Sequence, residues 1–208
     1  MRRVLLALWA LRRWRVRLTV AAKARSKRAR VALTIDPTSQ VSTAARFVVL
    51  HGSVSTVEIG PGCTIDDGVL VQLRGGTLRL GPGCSIRRGS VLDVVGDLTL
   101  EGRNIISYGN VLHCAEQIRF GELAATAEYV SVVDSVHRHG DDGQSFRART
   151  DSSPIEIGRN VWLANKSTVL LGVTIGDEAV VAAHSLVNKD VPARSTVAGT
   201  PARVIAQR

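Results

Sequence analysis

Residues 157–187 read IGRNVWLANKSTVLLGVTIGDEAVVAAHSLV, and an apolar side chain recurs at every sixth position of this stretch. These positions are Ile157, Leu163, Val169, Ile175, Val181 and Val187. A helical face recurs every 3.6 residues, so the spacing excludes a helix and favours short strands separated by turns. Three such units make one triangular coil of about 18 residues, which is the signature of a hexapeptide β-helix.

Longer versions of the same unit precede this stretch. Residues 59–63 (IGPGC) and 80–84 (LGPGC) are near copies 21 residues apart, and further copies begin at Leu100 and Phe120 at intervals of 20. Each coil should add about 4.8 Å, the spacing between paired strands. The inward residues then stack in a column of Ile, Val and Leu, which accounts for an aromatic content of only 4%.

The three cysteines, Cys63, Cys84 and Cys114, are too few for a disulfide framework, and their odd number suits a reducing compartment. The first two occupy the same position of successive repeats. We therefore interpret them as small core residues of one ladder, without implying a disulfide. The expected location is cytoplasmic.

The positive charge is confined to the N-terminus. The chain carries a net +9, but residues 1–30 hold eleven basic and no acidic residues, which leaves 31–208 at −2. We predict a basic amphipathic helix over residues 1–31 and a β-helix domain over residues 32–208. The apolar stripe of the helix comprises Val4, Ala7, Leu8, Leu11, Trp14, Leu18, Ala21 and Ala22. A near-neutral body argues against nucleic acid as a partner.

Two interpretations of this helix remain open. It could cover the open end of the first coil, whose strand edges would otherwise be exposed. Alternatively, residues 1–30 could lie on an anionic membrane surface, at the inner face of the membrane. The uninterrupted apolar run over residues 4–11 is far shorter than the roughly 20 residues needed to span a bilayer.

The C-terminal quarter resembles the hexapeptide-repeat acyltransferases, in particular the sugar and polysaccharide O-acetyltransferases related to galactoside and maltose acetyltransferases. Residues 157–163 (IGRNVWL), 172–177 (GVTIGD), 187–192 (VNKDVP) and 198–205 (AGTPARVI) carry the resemblance. The periodicity does not fix the hand of the coil. The resemblance implies an all-β, left-handed parallel β-helix with a short C-terminal extension, assembled as a homotrimer with active sites between neighbouring subunits.

The same resemblance implies an acetyl-CoA-dependent O-acetyltransferase that acts on a hydroxyl of a sugar or glycan. This reaction needs a base but no metal, and histidine suits the role because its pKa of about 6.5 is near working pH. His137 begins a polar insertion, about residues 138–153, that interrupts the repeat, and it matches the catalytic histidine of the family. His139 is a rival base or an acceptor contact. His113 is interpreted as structural or lining the acceptor groove, and His184 as an exposed ladder residue.

The resemblance also assigns residues to the two substrates. Contacts to coenzyme A fall on Trp162, Asn165, Ala183, Asn188, Lys189 and Arg203, and contacts to the acceptor on His139, Asn110 and Glu116. Asn188 stands where the family usually has threonine. Packing within the coil is an equal alternative for Trp162 and Asn110.

Other functions fit the same coil. The acceptor could be an amine, a serine or a xenobiotic hydroxyl, and a scaffold without catalysis would keep the repeat. A zinc site similar to that of the γ-class carbonic anhydrases needs three side-chain ligands. Those enzymes pair histidines five residues apart, whereas His137 and His139 are two apart.

Overall fold

The computed structural model describes residues 2–138 and 150–208, and their side chains from residue 10 onward. A single helix, α1 (Arg2–Ser26), precedes a long series of short strands in this part of the chain. In chain order the strands are β1 (Arg30–Ile35), β2 (Gln40–Val41), β3 (Arg46–Val49), β4 (Val54–Ile59), β5 (Thr64–Ile65), β6 (Leu70–Leu73), β7 (Thr77–Leu80), β8 (Ser85–Ile86), β9 (Val91–Val94), β10 (Asp97–Leu100), β11 (Ile105–Ile106), β12 (Val111–Cys114), β13 (Gln117–Phe120), β14 (Ala125–Thr126), β15 (Ser131–Val133), β16 (Ser135–His137), β17 (Thr150–Ser152), β18 (Ile155–Ile157), β19 (Trp162–Leu163), β20 (Thr168–Leu170), β21 (Thr174–Ile175), β22 (Val180–Val181), β23 (Leu186–Val187), β24 (Ser195–Gly199) and β25 (Ala202–Gln207).

The strands form three long sheets that the chain visits in rotation. Sheet A has the order β1-β4-β7-β10-β13-β18-β21, sheet B β2-β5-β8-β11-β14-β19-β22-β24-β25, and sheet C β3-β6-β9-β12-β15-β20-β23. Neighbouring strands are parallel within each sheet, except for the final β24–β25 pair. The chain therefore winds as a three-sided coil, and the predicted parallel β-helix is confirmed.

The six-residue spacing corresponds to one inward side chain on each side of the coil. Ile157 lies in sheet A, Leu163 in sheet B and Val169 in sheet C, before the cycle repeats. Ile157 pairs with Ile175 one coil later, and all six residues of the series are at most 2% exposed. Burial of these ladders supplies the main favourable free energy of the fold.

The cysteines belong to this core. Cys63, Cys84 and Cys114 are buried and form no disulfide. The Cys63 thiol donates to the carbonyl oxygen of Gly81 at 3.1 Å. Burial raises the pKa of Cys114 to about 12, so its thiol is protonated near neutral pH and is a poor nucleophile.

Helix α1 lies across the open end of the first coil. Its inner face buries Val16, Val20 and Ala24. On the same side, the Arg17 guanidinium donates to the Ile35 carbonyl oxygen at 3.0 Å, and Lys23 Nζ donates to the Phe47 carbonyl oxygen at 2.8 Å. These contacts protect the strand edges that an uncovered coil would expose.

The buried face of α1 is not the apolar stripe found in the sequence. Leu11, Trp14 and Leu18, which belong to that stripe, point away from the coil and are exposed. The open end exposes backbone carbonyl groups, so it is covered by a face that combines small apolar side chains with hydrogen-bond donors. Within the described part of the chain, no helix is both long and apolar enough to cross a bilayer.

Two departures from the coil follow later in the chain. After β15 the chain leaves the coil as an antiparallel pair, β16 and β17, and returns at β18. This excursion coincides with the predicted insertion. At the C-terminus, β24 pairs with β22 and then folds back on β25, so the end of the chain extends sheet B.

Candidate active site

The excursion from the coil carries the predicted base, His137. In its antiparallel pair, Ser135 lies opposite Ser152 and His137 opposite Thr150. The His137 side chain is exposed, and its Nδ1 lies 3.1 Å from the Thr150 hydroxyl oxygen. In the tautomer that donates through Nδ1, Nε2 keeps its lone pair and can accept a proton. The geometry therefore presents an imidazole whose orientation is fixed from the opposite strand.

A buried carboxylate anchors the base of this hairpin. Asp134 is fully buried at the point where the chain leaves the coil. Its Oδ1 accepts the Ala115 backbone N–H at 2.7 Å, while Oδ2 accepts those of Glu116 at 2.8 Å and Gln117 at 2.9 Å. The carboxylate accepts the backbone N–H groups of the turn between β12 and β13, and these three hydrogen bonds fix where the hairpin begins.

Asp134 was not predicted from the sequence, because its position becomes apparent only from strand register. Register pairs Leu73 with Val94 and Val94 with Cys114, all of them inward and buried. Asp134 follows β15 at the next step of that ladder. A single acidic residue in a column of apolar residues marks a carboxylate with an internal structural role.

Glu116 is tied to the same hairpin. It lies in the turn between β12 and β13, on the corner where sheet C passes to sheet A, which we call the C–A corner. Ser152 Oγ donates to its Oε2 at 2.7 Å. Next to Thr150 and Ser152, Arg138 and Asp151 form an ion pair across the hairpin. The structure thus brings Glu116 and His137 to one corner of the coil.

The residues expected to contact coenzyme A lie on two regions. Trp162 is on sheet B with 44% of its surface exposed, and its register neighbours Ala125 and Val180 are too small to cover the ring. Asn165 and Ala183 occupy successive turns of the corner between sheets B and C, the B–C corner. Those turns are joined by a hydrogen bond from the His184 N–H to the Asn165 carbonyl oxygen at 3.0 Å.

The remaining predicted donor residues lie at the C-terminal end of the coil. Asn188 and Lys189 directly follow β23 and are exposed on the C–A corner. Arg203 is exposed on β25, where its Nη1 donates to the Ala202 carbonyl oxygen at 2.7 Å. Within one chain, Trp162 on sheet B and His137 on the hairpin that follows sheet C lie on different sides of the three-sided coil.

The Asn110 side chain does not reach the surface of the coil. Its side chain is fully buried, with Nδ2 donating to the carbonyl oxygens of Ser107 at 2.7 Å and Ala127 at 3.0 Å, while Oδ1 accepts the Val130 N–H at 2.8 Å. A side chain so enclosed is not available to an acceptor. The expectation that Asn110 binds acceptor is therefore corrected: it ties successive turns of the B–C corner together.

The other histidines take different positions. His139 lies outside the described residues. His184 is exposed in a turn with a backbone φ of 59°, and His51 is exposed in the turn after β3. Among the described residues, no group of three His, Cys, Asp or Glu side chains could hold a metal ion.

His113 belongs to a charged cluster on the outer face of sheet C. Its Nδ1 lies 3.1 Å from Asp93 Oδ2, which also accepts Arg74 Nη1 at 3.1 Å. The hydrogen bond to Asp93 raises the pKa of His113 despite partial burial. Burial alone would raise the pKa of Asp93, but the hydrogen bond from His113 and the charge of Arg74 outweigh it and lower that pKa.

Comparison with known proteins supports the resemblance. No family model matches the chain. It is 50% identical over 54 residues to the galactoside O-acetyltransferase of Escherichia coli, covering 26% of this chain and 27% of the relative. It is 32% identical over 124 residues to WbbJ, a putative lipopolysaccharide biosynthesis O-acetyl transferase of Escherichia coli, covering 55% of this chain and 63% of WbbJ.

Solved structures show the same fold. The polySia-specific acetyltransferase NeuO superposes with a TM-score of 0.59 at 19% identity, covering 85% of this chain and 79% of NeuO. The chain spans less than two thirds of the length of the curated relatives described above. The similarity to sugar-modifying acetyltransferases is confirmed.

Proposed function

We propose that this hexapeptide-repeat chain, similar in sequence to known O-acetyltransferases, transfers an acetyl group from acetyl-CoA to a hydroxyl of a sugar or glycan. The observation that carries the proposal is the His137 imidazole on a hairpin that leaves the coil, oriented by Thr150 and next to the Ser152–Glu116 hydrogen bond. Cys63, Cys84 and Cys114 are buried in the core, so the proposal does not use a cysteine nucleophile.

The proposed reaction is a direct transfer between two bound substrates. His137 Nε2 accepts the proton of the acceptor hydroxyl as the oxygen attacks the thioester carbonyl carbon. A new C–O bond forms, the C–S bond breaks, and the imidazolium returns the proton to the departing thiolate sulfur. General base catalysis of this kind contributes about 10²–10⁴-fold to the rate.

Glu116 has a position suited to the acceptor. Its Oε2 already accepts a hydrogen bond from Ser152, and its side chain is exposed beside the hairpin. A carboxylate accepts hydrogen bonds but does not donate them when ionised, so it can bind further hydroxyl groups of a sugar. We assign Glu116 to the orientation of the acceptor. His139 remains a proposed acceptor contact from sequence.

The donor is proposed to bind along the exposed residues of sheet B and the B–C corner of one subunit, and to reach Asn188 and Lys189 on the C–A corner. Trp162 offers an open ring face, Asn165 a hydrogen-bonding side chain, and Ala183 an exposed turn whose backbone a narrow chain can approach. Lys189 and Arg203 are exposed cations that can attract phosphate groups. Asn188 adds a polar group next to Lys189.

The location of these residues favours a trimer. Sheet B and the B–C corner carry exposed apolar side chains, namely Ile105, Tyr108, Tyr129 and Trp162. A contiguous apolar surface of this kind marks an interaction site. We propose that the corner bearing His137 on one subunit packs against the side bearing Trp162 on the next, so that each site combines residues of two neighbours.

The first experiment measures acetyl transfer. Purified protein is incubated with acetyl-CoA and a panel of sugars and glycans, and the released thiol is followed. His137→Ala should lower turnover by about 10²–10⁴-fold while coenzyme A binding is nearly unchanged, and His51→Ala should behave like the unmodified chain. Undiminished turnover by His137→Ala would exclude it as the base.

The second experiment tests the shared site. His137→Ala and Trp162→Ala chains carrying different tags are produced separately and together in the same cells. If neighbours share each site, the mixed assembly regains activity that neither variant shows alone. Activity no greater than the sum of the two variants would refute a site between subunits.

A further inference from the structure

Helix α1 has one face buried against the coil and one face exposed. The inner face is occupied, because Val16 and Val20 are buried against the first coil and Arg17 and Lys23 donate to its backbone carbonyl groups. These contacts explain the residues of the inner face. They do not explain why the opposite face of the helix exposes large apolar side chains.

The outer face carries a row of exposed apolar side chains. Leu11, Trp14 and Leu18 are 52%, 58% and 48% exposed and recur at steps of three and four, so they lie on one side of the helix. Ala21 and Ala22 continue the stripe and are also exposed. At 1.5 Å per residue, the stripe from Leu11 to Ala22 is roughly 16 Å long. Exposed side chains of this size in one row mark a contact surface.

Basic side chains lie on the same face. Arg15 is exposed four residues after Leu11 and Arg25 is exposed three residues after Ala22, and the first 30 residues contain eleven basic residues and no acidic residue. Arginine can place its aliphatic stem along an apolar surface while its guanidinium reaches a polar layer. Tryptophan prefers the boundary between hydrocarbon and headgroups. These apolar and basic side chains therefore suit a surface that has an apolar interior and an anionic outer layer.

We propose that the outer face of α1 binds the surface of a bilayer that contains anionic lipids, with Trp14 at headgroup depth. The helix would lie in the plane of the membrane. A second copy of this face is a poor partner, because pairing would bring two strongly basic helices together. Nucleic acid would engage the charges but leave the apolar stripe without a partner. The inference does not depend on the proposed acyl transfer.

The test uses the full chain and vesicles of defined composition. The chain is sedimented with phosphatidylcholine vesicles and with vesicles that also contain phosphatidylglycerol. We expect binding to the anionic vesicles that weakens as salt is added. The triple variant Leu11→Gln, Trp14→Gln, Leu18→Gln should bind at least tenfold more weakly, because the apolar part of the contact is removed.

A matched control separates this face from general surface hydrophobicity. Val54→Gln changes an exposed apolar residue on sheet A, at 66% exposure, and should leave vesicle binding unchanged. The triple variant should keep the thermal midpoint of the unmodified chain, because its inner face is intact. It should also keep acetyl transfer to a water-soluble acceptor, which keeps this test separate from that of the proposed activity.

Three results would overturn the inference. The chain could remain in the supernatant with phosphatidylglycerol vesicles, or the triple variant could sediment as well as the unmodified chain. A fall in the oligomeric mass of the triple variant, measured by light scattering, without vesicle binding by the unmodified chain, would instead identify the outer face as a contact between subunits.

Discussion

Replacement of Asp134 by asparagine tests how the hairpin that carries His137 is held. The carboxylate accepts three backbone N–H groups, from Ala115, Glu116 and Gln117. Asparagine keeps the shape of the side chain but replaces one acceptor oxygen by an NH₂ group, so at least one of the three backbone N–H groups loses its acceptor. The hydrogen bonds that remain no longer have a charged acceptor. Hydrogen bonds to charged groups contribute about 1.5–3 kcal/mol each, so we expect a loss of about 3 kcal/mol in the free energy of unfolding.

The assay is urea denaturation of Asp134→Asn beside a control. Asp97→Asn makes the same chemical change at an exposed aspartate and should alter the free energy of unfolding by less than about 0.5 kcal/mol. For a chain of this size, the expected loss corresponds to a fall of roughly 6–12 °C in the thermal midpoint. If Asp134→Asn is no less stable than Asp97→Asn, the carboxylate is not the anchor inferred from the structure.

Further predictions concern packing, charge and thiols. Gly81→Ala should destabilise more than Gly62→Ala. A Cβ at Gly81 would lie 1.8 Å from the Glu101 carbonyl oxygen, whereas one at Gly62 meets nothing within 4 Å and costs only the backbone strain of its φ of 66°; equal urea midpoints would contradict this. For His113, the pKa is raised above 6.5 and that of its partner Asp93 is lowered below 3.8. His113→Asn should therefore lose the most stability between pH 3.8 and pH 6.5, and this loss should decline as the pH rises through the raised pKa of His113. A loss of stability that does not depend on pH would show that the charge of His113 is not involved. The three buried cysteines should react with a thiol reagent only on unfolding, and rapid labelling of the native chain would refute their place in the core.

The coil could be predicted from the sequence because its pattern of buried residues repeats within a few positions. A single inward residue on each side of a triangular coil produces a fixed spacing of six, as in Ile157, Leu163 and Val169, and no other regular structure shares that period. The orientation of α1 was not predictable in the same way. The larger apolar stripe was visible in the sequence, but the open coil also required hydrogen-bond donors such as Arg17 and Lys23.

The candidate site was predictable only in part. His137 was predicted as the base because a polar insertion interrupts the repeat next to it and because it matches the family's histidine; that role stays a prediction. Asp134 could be interpreted only once strand register showed that it follows Leu73, Val94 and Cys114 in one column. Asn110 shows the opposite error, since a polar residue near a suspected groove was assigned to the acceptor although its hydrogen bonds are all used inside the coil.

The stacking of the coils also sets the distance along the coil axis between helix α1 and the hairpin that carries His137. Helix α1 packs on the first coil, and β15, from which the hairpin of His137 departs, is the fifth strand of its sheet counted from that end. Four steps of about 4.8 Å put β15 roughly 19 Å above β3, the strand of this sheet that contacts the helix. The number of coils thus sets the distance between helix α1 and the corner that bears His137. A chain with one coil more or fewer would change the distance between the proposed membrane surface and the proposed base.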